Sequence, residues 1–351
     1  MRRLCVVLAG RGTVGGALAA QLEAARPRLA EEGVEIRLAA VAGRQSLALE
    51  PRGFASDEWR RRVAPCAGES APAALAALRG LGPLAFVDAT AAPEMGNLYL
   101  EALRAGVHVV SCNKAPFTRS QREFDAMHEA AQRGGAFLRF EATAGAGLPT
   151  LRTLRDLRQS GDTIVEVSGC FSGTLNFLCA GLESGRPFSD LLQEARRLGF
   201  TEPDPREDLS GRDVARKALI LARLSGGKLE PEQVDCRPLL DADAGLSVNE
   251  FLERLRDLDP GVKRRVETAR ASGRVLRYVA RASPAAAGCG PAEVEAHDPL
   301  ARLSGPENIF VYRTERYRVP LVVSGPGAGP QVTAGGLFGD LLEVARAAAR
   351  D

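Results

Sequence analysis

The chain has 351 residues, more than one ordinary core takes, and its formal charge of +2 arises from 46 basic against 44 acidic side chains. So even a balance gives no electrostatic case for a nucleic-acid partner or a membrane surface. No apolar run approaches the roughly 20 residues of a membrane span, and "MRRLCVVLAGRGTVGG" at the start carries no cleavage signal, so a cytoplasmic protein is expected.

Residues 4–9 read as a buried strand, followed by Gly10-x-Gly12-x-x-Gly15 and an Ala/Leu-rich helix. The glycines permit a tight turn and close approach of backbone to a pyrophosphate resting on the helix N-terminus, with Thr13 and Val14 completing the turn. Strand and helix signals then repeat, with strand-like runs at 36–43, 85–90, 108–112 and 136–141. This order predicts a Rossmann-type, doubly wound parallel sheet in an α/β chain.

At the end of the second strand such folds carry an acid for the ribose 2′-hydroxyl of NAD, or a basic residue for a 2′-phosphate. "VAGRQS" supplies Arg44 and no acid, which favours NADP(H) over NAD(H), although a solvated loop arginine has the same appearance. Arg11 adds a further cation inside the glycine turn. "DATAAPE" (88–94) and "VVSCNKAPF" (109–117) each follow a strand, so Thr90, Ala91, Asn113 and Lys114 are expected to line the crevice beyond the strands' carboxyl ends. Lys114 reads equally as a lysine on an exposed loop.

Beyond 141–150 the pattern changes. An alternating strand runs into a helix over 163–182, helices follow at 188–198 and 210–225, and strand-like runs occupy 274–282, 307–314 and 319–325. The Ala/Gly/Pro-rich stretch 282–293 reads as a surface loop, and a final helix spans about 335–349. The expected organisation is a nucleotide-binding domain (1–148), an inserted α+β substrate and dimerisation domain (149–325), and a segment (326–351) returning to the first.

Seven scattered cysteines without a CxxC pair argue for reduced thiols, and three unclustered histidines, one inside a strand-like run, leave histidine acid/base chemistry without support. Only four of the 46 basic residues are lysines: Lys114, Lys217, Lys228 and Lys263. Where arginine is the default cation, a lysine can do what guanidinium cannot, namely release a proton. Lys228 and Lys263 have surface contexts, so Lys114 and Lys217 stand out. Asp213 and Lys217 share a helix face that continues into Ile220 and Leu224, with Arg212, Arg216 and Arg223 on a separate stripe. That spacing alone is also the spacing of a plain i,i+4 salt bridge.

"GRGTVGG", "SCNKAPF", "EATAGAGLP", "GCFSGTLNF", "GFTEPDPREDLSGRDVARK" and "GPGAGPQVTAGGLFGDL" follow one another in the order found in homoserine dehydrogenases, and the chain resembles that family from near residue 4 to near 349. It most resembles the dehydrogenase portion of fused aspartokinase-homoserine dehydrogenases, and neither a preceding kinase nor a C-terminal regulatory domain is expected. The resemblance implies reversible NAD(P)H-dependent reduction of L-aspartate 4-semialdehyde to L-homoserine, in threonine and methionine biosynthesis, by a homodimer.

It further implies Lys217 as proton donor, Lys114 as a cofactor-contacting and second catalytic lysine, and Glu202 and Asp213 as ligands of the substrate, bordered by Gly173 and Thr174. Glu141 with the main-chain oxygens of Ala144, Ala146 and Leu148 would hold a monovalent cation such as sodium, and Gly329 would return to the nicotinamide. Arg11 and Ala144 depart from the family's pattern. The alternatives are another NAD(P)-dependent amino-acid dehydrogenase and a non-catalytic dinucleotide sensor, which would have no use for the Glu202, Asp213 and Lys217 set.

Overall fold

The structure is a computed structural model and describes residues 1–55, 57–241 and 245–347. The chain divides into two compact units, Met1–Pro149 with Ala328–Asp351, and Thr150–Gly327.

In the first unit, seven strands lie in the order β4-β3-β2-β1-β5-β6-β7. Their ranges are β1 Arg2–Ala9, β2 Val34–Ala42, β3 Ser46–Leu49, β4 Ala64–Pro65, β5 Leu84–Asp88, β6 His108–Ser111 and β7 Leu138–Arg139. From β2 across to β7 the pairing is parallel, while β3 and β4 form an antiparallel edge. Because β5 lies on the opposite side of β1 from β2, the strand order reverses between β1 and β5, where doubly wound sheets open a ligand crevice. β1 is buried along nearly its whole length, as expected of a strand covered on both faces. Its Leu4, Val6 and Leu8 join one core with Leu18 and Leu22 of the helix Thr13–Glu31 and with Leu337, Leu341 and Val344 of the final helix, Pro330–Ala347. Residues 348–349 of the expected final helix lie outside the described residues.

The strand-like run 136–141 is shorter than its sequence suggests. β7 stops at Arg139, and Glu141–Thr143 forms a 3-10 turn whose first N–H donates to the buried Asp340 carboxylate at 2.9 Å. The following glycines let this loop lie against the final helix. A Cβ on Gly147 would meet the Val332 carbonyl oxygen at 2.5 Å, and one on Gly336 would meet that of Ala146 at 2.5 Å.

The second unit holds a six-stranded mixed sheet, β13-β12-β8-β10-β11-β9, built from β8 Ile164–Cys170, β9 Asp235–Cys236, β10 Arg274–Ala282, β11 Ala287–Glu295, β12 Asn308–Thr314 and β13 Leu321–Gly325. β11 corrects the sequence reading, since residues 287–293 of the supposed loop form most of a nine-residue strand hairpinned onto β10. The small side chains that read as loop reflect close approach of the neighbouring chain. A Cβ on Gly288 would lie 2.8 Å from the Asp235 carbonyl oxygen, and one on Gly290 would lie 3.1 Å from the Arg237 side chain.

The helix expected at 210–225 forms as Arg212–Leu224, preceded by a turn of helix that the sequence reading did not indicate. A short helix, Pro205–Leu209, is capped by Asp204, the chain turns through Gly211 at φ +73°, and a second helix, Arg212–Leu224, begins. Glycine is required here, because a Cβ would sit 1.7 Å from the Tyr278 hydroxyl. Arg212 and Arg216 are exposed, but Arg223 is buried, its guanidinium donating to the Leu229 carbonyl, so the three arginines do not share a solvent-facing role.

We predict that Gly336→Ala lowers unfolding free energy in urea titration by about 1–3 kcal/mol through overpacking against Ala146. Gly335→Ala, next to it on an open face where a Cβ meets nothing within 4 Å, leaves stability unchanged or raised by up to about 1 kcal/mol.

Candidate active site

The glycine turn occupies the carboxyl end of β1. Gly10 has φ +102°, and a Cβ there would meet the Ala89 carbonyl oxygen at 2.7 Å and the Thr90 methyl at 3.2 Å. Gly15 is equally constrained, its Cβ falling 2.0 Å from the Gly10 oxygen, whereas a Cβ on Gly12 would meet nothing within 4 Å. The turn is therefore packed on the inside and open on the outside. Gly12 is also the N-cap of the helix Thr13–Glu31, with no side-chain cap, so its first N–H groups, Thr13 and Val14 among them, have no capping side chain. An open backbone cradle at a helix N-terminus fits a pyrophosphate.

Arg11 reaches from this turn to the end of β2, where a Cβ on Gly43 would touch its guanidinium at 2.8 Å. Arg44 is the next residue and is exposed. Two cations thus flank Gly43 at the end of the second strand.

Thr90, Ala91, Asn113 and Lys114 follow β5 and β6, and a residue that sequence reading passed over holds their loops together. Asp88, fully buried at the last position of β5, accepts hydrogen bonds from the Thr90 N–H at 2.8 Å, the Asn113 side-chain amide at 2.9 Å and the Tyr99 hydroxyl at 2.6 Å. Ser111 bonds both Tyr99, at 2.7 Å, and the Asn113 N–H, at 2.9 Å. Asn113 also donates to the Ala92 carbonyl at 2.8 Å and accepts the Ala115 N–H at 3.1 Å, fixing the turn that carries Lys114. Burial, and then the Asp88 charge, raises the Tyr99 hydroxyl well above its ordinary range, so it stays protonated as a donor. The available signal was the acid in "DATAAPE" at the end of an otherwise apolar strand, since a carboxylate is rarely buried without partners.

His108 is structural, as expected. It is buried, its Nδ1 accepts the Phe137 N–H at 3.0 Å, and burial lowers its proton affinity. Glu141, Ala144 and Ala146 are buried and follow β7, with Leu148 bonded back to Gly145. Ala146 has φ +55°, the one non-glycine with positive φ among the described residues. A carboxylate and carbonyl oxygens are hard donors of the kind an alkali cation takes. Among the described residues no group of three His, Cys, Asp or Glu side chains is placed to hold a metal. Gly329 has φ +112° and no neighbour within 4 Å of a notional Cβ.

In the second unit the end of β8 is the organising point. The Phe171 carbonyl accepts from the Lys217 ammonium at 2.7 Å and from Asn308 at 3.2 Å. Lys217 is only 7% exposed and also pairs with the exposed Asp213 at 2.8 Å. Two residues on, Gly173 starts the helix Gly173–Glu183, where a Cβ would meet the Pro306 carbonyl oxygen at 2.8 Å. The Thr174 hydroxyl bonds the Phe200 carbonyl and, at 3.2 Å, Asp208, whose other oxygen accepts the Glu202 N–H at 2.9 Å. Burial raises the proton affinity of Asp208. Asp208 therefore joins Thr174 to the Glu202 loop, and sequence reading missed it among the acids of "EPDPRED". The Glu202 side chain is exposed, which leaves its carboxylate available to a charged ligand.

Comparison with known proteins places these units. A family profile described as "Homoserine dehydrogenase" matches residues 149–342, and one described as "Homoserine dehydrogenase, NAD binding domain" matches residues 10–141. The chain is 38% identical to the bifunctional aspartokinase/homoserine dehydrogenase of Haemophilus influenzae, over 95% of this chain but 42% of that protein, so it spans well under half of that relative. It is 32% identical to the homoserine dehydrogenase of Saccharomyces cerevisiae, over 97% of this chain and 98% of that one. A hyperthermophilic archaeal homoserine dehydrogenase, solved in complex with NADPH, shares the fold at a TM-score of 0.73 and 23% identity, with 97% of each chain covered.

Asp88→Asn replaces an acceptor by a donor facing three donors. The expected result is a rise of about tenfold or more in the Kd of the reduced dinucleotide in fluorescence titration, equivalent to about 1.4 kcal/mol. A Kd unchanged in a variant that has lost stability would show that Asp88 only supports the fold.

Proposed function

Since the chain belongs to the homoserine dehydrogenase family, we propose that it catalyses the reversible NAD(P)H-dependent reduction of L-aspartate 4-semialdehyde to L-homoserine. The observation that carries this reading is the buried Lys217 ammonium, paired with Asp213 and held on the Phe171 carbonyl.

The substrate carries an ammonium group, which calls for carboxylates, and Glu202 and Asp213 are exposed acids suited to it. Gly173 and Thr174 border the substrate, with Asp208 holding Thr174 and the Glu202 loop in register. When bound, the nicotinamide dinucleotide supplies the hydride that reduces the aldehyde carbon. Lys217 supplies the proton to the developing alkoxide, a step for which guanidinium is unsuited because it holds its protons at any working pH. The lysine's positive charge also stabilises the oxyanion before transfer. Lys114 serves as the second cation and as a contact to the cofactor.

The turn Gly10–Gly15, Thr90, Ala91, Asn113 and Gly329 hold the dinucleotide, and Arg11 and Arg44 beside Gly43 favour NADP(H). Glu141 with the carbonyls of Ala144, Ala146 and Leu148 takes a monovalent cation that steadies the loop packed on the final helix. The working form is a homodimer, in keeping with Val165 and Val322, both exposed on the second unit's sheet. No helix among the described residues is long and apolar enough to cross a membrane, and the protein works in the cytoplasm on a small-molecule substrate.

The test is NADPH oxidation with L-aspartate 4-semialdehyde, run beside NADH and beside other amino-acid aldehydes or keto acids. The expected result is saturable turnover with the semialdehyde and a kcat/KM ratio favouring NADPH that Arg44→Asp reduces by about tenfold, a loss on the scale of one charged contact. Absence of turnover with both cofactors overturns the function. An unchanged cofactor ratio in the variant overturns the assignment of Arg44 alone.

A further inference from the structure

Cys236 and Cys289 lie opposite each other where β9 runs parallel to β11. Neighbouring strands are about 4.8 Å apart, inside the roughly 4.4–6.8 Å between Cα atoms that a disulfide spans. Their sulfurs stand 3.7 Å apart, so closing to the bonded distance of about 2.0 Å needs little more than side-chain movement. β9 is the edge strand, Cys236 is part-exposed and Cys289 is buried. Burial also raises the proton affinity of the Cys289 thiol, which leaves Cys236 as the group that meets a reagent first.

The thiols face the start of the helix that carries Asp213 and Lys217. Cys236 Sγ contacts the Ser210 carbonyl at 3.3 Å, Cys289 Sγ contacts the Gly211 carbonyl at 3.6 Å, and the Tyr278 hydroxyl donates to the Arg237 carbonyl at 2.7 Å with Cys289 Sγ 3.4 Å away. Ser210 and Gly211 directly precede Arg212, and Gly211 has no room for displacement toward Tyr278. Converting both thiols to a disulfide turns the two sulfurs toward each other and removes two S–H donors from these carbonyls.

We propose that Cys236 and Cys289 are a modification site, a dithiol that hydrogen peroxide oxidises to a reversible disulfide and that thereby slows the enzyme by shifting the first turn of the Lys217 helix. The loss of rate rests on the function proposed above, whereas the disulfide itself does not. Cys236 sulfur attacks the peroxide O–O bond, taking one oxygen as sulfenic acid while the other leaves as water. Cys289 sulfur then displaces that oxygen as a second water. Two electrons and two protons pass from the thiols to the peroxide, and a thiol reductant reverses the change.

The full chain, reduced and then treated with hydrogen peroxide, is digested without reductant and mapped by mass spectrometry while semialdehyde reduction and amide exchange across 212–217 are followed. The expected result is one linked peptide joining Cys236 to Cys289 with the loss of two hydrogens, faster exchange in the helix's first turn, and a fall in rate of about tenfold or more, the scale of a misplaced catalytic group. Dithiothreitol restores the rate, and Cys236→Ser keeps its rate in peroxide. No linked peptide overturns the site, and a linked peptide with unchanged exchange and rate overturns the coupling. If the reduced protein lacks the semialdehyde activity, the functional reading fails alone, and exchange across 212–217 in the linked protein decides the coupling.

Discussion

A lysine ammonium buried to 7% exposure must be satisfied by the protein around it, and much of the second unit's geometry follows from how this is done for Lys217. The Phe171 carbonyl that accepts it emerges where β8 ends, so the backbone oxygen is not used in the sheet. Asn308, at the start of β12 beside β8, donates to the same oxygen, and Phe171 itself stacks on Phe310 with ring centroids 4.3 Å apart. On the other side, Gly211 breaks the chain so that the helix starts where Asp213 and Lys217 fall one turn apart against that carbonyl. Moving any of these parts strands a charge in the interior.

The first unit has its own buried charge with a different purpose. Asp88 carries no paired cation among its hydrogen-bond partners described above, and its three donors come from the loops after β5 and β6 and from Tyr99 between them. A carboxylate held by neutral donors in a dry setting rigidifies what surrounds it, because each donor loses much if the acceptor moves. The loops after β5 and β6 are thus held in fixed register, which, on the function proposed above, reduces the ordering cost of binding the dinucleotide.

What the sequence made legible was local. The strand, glycine turn and helix at the start, the run 274–282 and the strand leading into the helix at 163–182 each carry their period and their punctuation within about 20 residues, and they form the elements those patterns indicate. The fold class followed from their order. What it hid was non-local. Gly288 and Gly290 of β11 lie where Asp235 and Arg237 press on the strand, a reason found some fifty residues away. Asp88 finds Asn113 across 25 positions. Arg223, grouped by spacing with Arg212 and Arg216, is buried and satisfies the Leu229 carbonyl in the loop beyond its helix. The family's site residues entered through motif resemblance, and spacing alone left Asp213 and Lys217 indistinguishable from a helix salt bridge, which they also are in geometry.

That ambiguity defines the decisive experiment. Lys217→Arg retains positive charge, helix propensity and the option of pairing with Asp213, but a guanidinium cannot release a proton. Steady-state kcat for semialdehyde reduction is to be measured on a variant whose urea midpoint and dinucleotide Kd match those of the parent chain. If Lys217 is the proton donor, kcat falls by about 10² to 10⁴, with the loss in kcat rather than in cofactor binding. A kcat within roughly threefold of the parent, far inside that range, would contradict the account and leave the pair as an ordinary helix salt bridge.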